Sequence, residues 1–75
     1  MKYDILLDAC KLSCPLPILR TKNSLSQMKS GQVLKVLATD PGAPEDFAVF
    51  CQKTGNELLS STELDGELIF LIRRR

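Results

Sequence analysis

No histidine occurs anywhere in the 75 residues. Without imidazole there is no Ser-His-Asp or Cys-His pair, so hydrolysis by the usual activated nucleophile lacks its general base. Cysteine is scarce as well, with only Cys10, Cys14 and Cys51. An odd count excludes a complete disulfide framework and leaves at least one thiol free. Three ligands fall short of a four-ligand structural zinc site, so neither metal nor cofactor is expected. Charge of one sign is missing too: ten basic against nine acidic residues leave a net +1, which offers no broad field for nucleic acid or an anionic membrane. Direct nucleic-acid binding is therefore not expected. Nothing approaches the ~20 consecutive apolar residues of a membrane span. Met1-Lys2-Tyr3-Asp4 reads as the start of a folded segment and not as a signal peptide, which makes the cytoplasm the expected compartment.

What is present is the composition of a soluble globule, 44% hydrophobic and 25% charged, in a chain short enough that residues 1–75 form a single domain. Tyr3, Ile5 and Leu7 alternate with Asp4, Leu6 and Asp8, predicting a first strand, followed by a loop over residues 8–13. Helical phase begins at Pro15. Ile18, Thr21, Leu25 and Met28 form one stripe, and Gly31 stands where a helix would close, which predicts a helix over residues 15–29. Residues 33–39 read as a second strand with Leu34, Val36 and Ala38 on one face and Lys35 on the other. After the break at Asp40-Pro41-Gly42, Pro44 with Glu45 and Asp46 opens a second helix. Phe47, Phe50, Cys51 and Thr54 form its stripe and Gly55 its end. Asp65-Gly66 suits a type I′ turn between strands at residues 57–64 and 67–73. The order βαβαββ predicts an α+β two-layer sandwich, with both helices on one face of a mixed four-stranded sheet. On the last strands the alternation favours Leu59, Phe70 and Ile72 as the inward set. Leu58, Ile69 and Leu71, with Leu6 and Leu37, would then form an exposed apolar patch suited to self-association or a protein partner.

Chemistry concentrates at Cys14-Pro15-Leu16-Pro17. A cysteine at or beside a helix N-cap sees unpaired N–H groups and the positive end of the helix dipole, which lower a thiol's pKa. With Cys14 as the cap, Pro15 takes the first helical position and Pro17 the third, leaving the N–H groups of Leu16 and Ile18 free. The same four residues also suit a buried cysteine before a proline-started helix, since free cysteine is among the most buried residue types. Leu16 lies off the helix stripe, either exposed beside Cys14 as a docking contact or packed under the loop through Leu12.

These residues, with Leu7-Asp8, Gly31, Thr39-Asp40-Pro41, Asp46-Phe47, Thr54-Gly55 and Asp65-Gly66, give a chain that resembles the TusA (SirA-like) family of small sulfur carriers over essentially its whole length. The resemblance implies a sulfurtransferase-type carrier in which Cys14 bears sulfur as a persulfide. It also implies a cysteine desulfurase or other sulfur donor protein and an acceptor relay protein, as in tRNA thiolation, molybdenum-cofactor routes or sulfur oxidation. Family members often have Gly where this chain has Lys11.

Lys11, Leu12, Leu16 and Arg20 are the candidate partner contacts around Cys14. Cys10, four residues before Cys14, is either a resolving thiol, which would make this a thiol-disulfide redox module, or an incidental half-buried residue. A third reading keeps the fold alone, as a non-catalytic regulatory adaptor. Cys51 falls on the apolar stripe of the second helix and reads as core. Residues 73–75, all Arg, read as a solvated run. Asp40 and Asp46 read as structural, since no other ionisable group is placed beside them by sequence.

Overall fold

The computed structural model describes residues 2–75. Met1, taken above as the start of a folded segment, lies outside them. The elements run β1 (Ile5–Ala9), α1 (Leu16–Ser26), β2 (Val33–Ala38), α2 (Ala43–Thr54), β3 (Glu57–Leu64) and β4 (Glu67–Arg73), the predicted βαβαββ order. The four strands form one sheet in the order β1-β2-β4-β3. β1 and β2 are parallel, whereas β4 is antiparallel to both β2 and β3.

One face of this sheet is the core. Leu34, Val36 and Ala38 of β2, and Phe70 and Ile72 of β4, are fully buried. They meet Leu25 of α1 and Phe47 and Cys51 of α2 in a single cluster, so both helices cover the same face. The Phe47 and Phe70 rings stack with centroids 4.4 Å apart and fix α2 on β4. Asp65 and Gly66 have φ of 53° and 82°, the two positive values a type I′ turn needs, and Gly55 closes α2 in the left-handed conformation at φ 82°.

Four expectations are corrected. α1 stops at Ser26, and Gly31 lies in the following loop instead of closing the helix. The reason is a local tightening: Gln27 and Met28 donate to the carbonyls of Ser24 and Leu25 three residues back, and Arg74 Nε donates to the Leu25 carbonyl at 2.7 Å. The Arg run is thus not simply solvated, because Arg74 holds the end of α1 and Arg73 pairs with Glu57. Leu58, not Leu59, lies opposite Ile72, since a bulge between Leu58 and Ser60 inserts Leu59 and shifts the alternation by one residue. Finally, Leu71 on the helix-free face is only 7% exposed. Its neighbours across the ladders are Lys35 of β2 and Ser60 of β3, so the apolar patch is interrupted by polar residues at this point. Leu6, at 50% exposure, remains open.

Candidate functional site

β1 and β2 run in the same direction and each leads into a helix. The starts of α1 and α2 therefore emerge at the same end of the sheet. The β3–β4 turn reaches that end too, because Leu68 of β4 pairs with Ala38 at the end of β2. The candidate site is assembled there from three connections that are distant in sequence.

The loop from β1 to α1 is shaped by its backbone. Asp8 Oδ1 accepts the Cys10 N–H at 3.0 Å, and this bond holds the Asp8 carboxyl below its usual range. Lys11 is left-handed, with φ 67°, and donates its N–H to Thr39 Oγ1 at 2.8 Å. Leu12 turns inward against the core, so it is a packing residue and not an open partner contact. The Cys14–Pro15 peptide is cis.

Pro15 is the N-cap of α1, one residue later than expected, with Leu16 at the first and Pro17 at the second helical position. The Leu16 N–H is not free: it donates to the Ser13 carbonyl at 2.9 Å. Pro17 is buried against the fold. Leu16 is 43% exposed, which resolves the choice between docking contact and packing in favour of exposure. It lines a groove with Leu7, Leu19, Arg20 and Asn23 on one flank of α1.

Cys14 opens on the other flank. It contributes to a shallow groove of about 380 Å³ between the two helices, with Pro15 and Ile18 from the α1 side and Glu45, Asp46, Val49, Phe50 and Lys53 from α2. Of the three free cysteines, Cys14 alone is exposed; Cys10 is half-buried and Cys51 buried. Cys10 directs its sulfur toward Glu67 Oε2 at 3.8 Å, and burial, reinforced by Asp8, pushes its pKa up to about 11. Burial alone pushes Cys51 up to about 11.

The Cys14 thiol does not have the lowered pKa that a helix start predicts. It is raised, first by the neighbouring Asp46 carboxylate, then by slight desolvation and by the charge of Asp40. Asp40 and Asp46 are therefore more than turn and helix-start residues. The α2 residues of the groove went unseen because a thiol and a carboxylate 32 positions apart carry no local signal. The parallel βαβα order was the available clue. Among the described residues, no three His, Cys, Asp or Glu side chains cluster as a metal ligand set.

A small two-layer sandwich presenting one exposed thiol at the start of a helix, with its other thiols withdrawn, suits a thiol-bearing transfer protein. Comparison with known proteins specifies it further. Residues 5–74 match the family described as Sulfurtransferase TusA, and the chain belongs to the TusA family. It is 56% identical over 72 residues to the sulfur carrier protein TusA of Allochromatium vinosum, covering 96% of this chain and 95% of that one. A putative sulfur carrier protein of Neisseria meningitidis serogroup A is 52% identical, covering 92% and 93% of the two chains. The crystal structure of a SirA-like protein from Desulfitobacterium hafniense superposes with a TM-score of 0.84 at 25% identity, over 93% of this chain and 96% of that one. The redox-module and adaptor readings are not favoured by these likenesses.

Proposed function

We propose that this protein is a sulfur carrier that accepts sulfane sulfur on Cys14 and passes it to an acceptor protein. The observation that carries the reading is the segregation of the thiols: Cys14 is exposed at the start of α1 while Cys10 and Cys51 are withdrawn. The names of its relatives as sulfur carriers support it.

Loading needs no cofactor and no net redox change. The Cys14 thiol gives up its proton, and the thiolate attacks the terminal sulfur of a donor persulfide. A new S–S bond forms at Cys14 as the donor's S–S bond breaks, and the donor cysteine leaves with the electron pair and takes up a proton. Discharge to an acceptor is the reverse step on a new partner. The donor class this chemistry fits is a cysteine desulfurase. The acceptor class is a relay protein with its own cysteine, as in tRNA thiolation. Lys11, Leu16 and Arg20 are exposed and are the contacts proposed for such proteins.

Intact mass after incubation with a cysteine desulfurase and cysteine tests the reading. The parent protein should gain one sulfur and Cys14→Ser none, since a hydroxyl cannot hold sulfane sulfur. Full loading of a folded Cys14→Ser protein would refute the assignment.

A further inference from the structure

Cys14 and Asp46 line the same groove between α1 and α2. The carboxylates of Asp40 and Asp46 both converge on Gly42 at the start of α2, lying 3.4 and 3.8 Å from the position a side chain there would occupy. Glu45 lines the same groove, and so does Lys53, the one cation among its lining residues. On the sulfur's own side the charged groups are the positive end of α1 and Lys11, three residues earlier in the loop. Within the groove itself two carboxylates, Glu45 and Asp46, stand against the single ammonium of Lys53, so its α2 wall is net negative. That wall is the opposite of the electropositive setting that reactive cysteines usually occupy.

We propose that Asp46 is a specificity-determining residue for the sulfur site: its carboxylate, with those of Asp40 and Glu45, disfavours the Cys14 thiolate and turns small anionic sulfur donors such as polysulfide away from it. The inference rests on the reading of Cys14 as the carrier. Two physical consequences follow from one arrangement. A thiol beside carboxylates is stabilised relative to the thiolate, so the free protein keeps most of its sulfur in the unreactive form at neutral pH. An anionic donor must also approach against the field, whereas a protein donor brings its own countercharge and excludes solvent from the groove. The site thereby favours sulfur delivered by a protein over sulfur taken from solution.

The test measures alkylation of Cys14, resolved by peptide mass, with neutral iodoacetamide and anionic iodoacetate between about pH 6 and pH 10. Asp46→Asn should move the midpoint of the iodoacetamide profile to lower pH and raise its rate at neutral pH by about 3–10-fold. The iodoacetate rate should rise by a larger factor, and loading by sodium tetrasulfide should quicken with it. Asp46→Glu, which keeps the charge, should retain most of the parent profile. An unchanged midpoint in a folded Asp46→Asn protein would overturn the proposal, as would a Glu variant indistinguishable from the Asn one. Should the Asn variant fail to fold, the parent at about 0.5 M salt supplies the same readout, because screening should raise the iodoacetate rate relative to iodoacetamide. A ratio unmoved by salt would count against the field. Desulfurase loading of the parent is scored separately. Absence of loading together with a shifted alkylation profile refutes the carrier reading and leaves the effect of Asp46 on the thiol standing.

Discussion

The backbone N–H of Lys11 donates to Thr39 Oγ1 at 2.8 Å, tying the loop that leads to Cys14 to the end of the neighbouring parallel strand. The bond is made with Lys11 at φ 67°, a conformation that costs a residue with a side chain about 1–2 kcal/mol. Glycine at this position would reach the same geometry without that cost.

Lys11→Gly should therefore stabilise the fold. Relief of the left-handed conformation outweighs the extra ~0.5–1 kcal/mol of unfolded-state entropy that glycine brings, leaving a net gain of roughly 0.5–1 kcal/mol. Urea unfolding would show a higher midpoint with the same slope. A lower midpoint would mean that the Lys11 side chain makes a contribution its exposed position does not reveal.

Thr21 is completely buried on the inner face of α1, and its hydroxyl has no hydrogen-bond partner. An unsatisfied buried hydroxyl costs about 1–3 kcal/mol, and valine has nearly the same shape without it. Thr21→Val should raise stability by about 1 kcal/mol, equivalent to a Tm increase of about 4–8 °C in a domain of this size. A calorimetric scan showing a lower Tm would indicate that the hydroxyl is bonded in solution.

Cys51 is 4% exposed in the core, and its thiol pKa is raised from the ordinary 9.0 to about 11 by burial. The folded state thus binds a proton that the unfolded state releases first. The resulting stability is fully present below about pH 9 and is lost as pH rises toward about 11. Cys51→Ala should cost about 1–2 kcal/mol at neutral pH through the space it leaves. It should also flatten the alkaline loss between those two pH values while leaving sulfur loading intact. Parallel stability–pH curves for parent and variant would show that Cys51 is not the titrating group.

Much of this fold is written locally. Asp65-Gly66, Gly55 and the Leu34, Val36, Ala38 alternation each specify backbone geometry or burial within a few residues, and each reads correctly without tertiary information. What escapes is set by partners far along the chain. The end of α1 depends on Arg74 reaching the Leu25 carbonyl, and Leu71 lies between Lys35 and Ser60 of the two neighbouring strands. The Leu58/Leu59 choice turns on a bulge that a period of two cannot anticipate. At the site, the motif around Cys14 marks the sulfur. Its electrostatic setting comes from α2, so the dipole at the start of α1 predicts the wrong direction for the thiol.

The sheet also divides the molecule into two poles with separate duties. The pole carrying Cys14 gathers the β1–α1, β2–α2 and β3–β4 connections. Beyond the ladders of β4, a further set of bonds fastens the segment after it at the opposite pole, where Gly31 and Arg74, Arg74 and Gln32, and Arg75 and Asn56 are joined. Closure of the fold and exchange of cargo thus draw on different residues about a strand's length apart. Loops at the exchange pole can be altered to suit a new partner without loosening the clasp that holds the domain shut, and a reporter grafted at the clasp would leave the sulfur unobstructed.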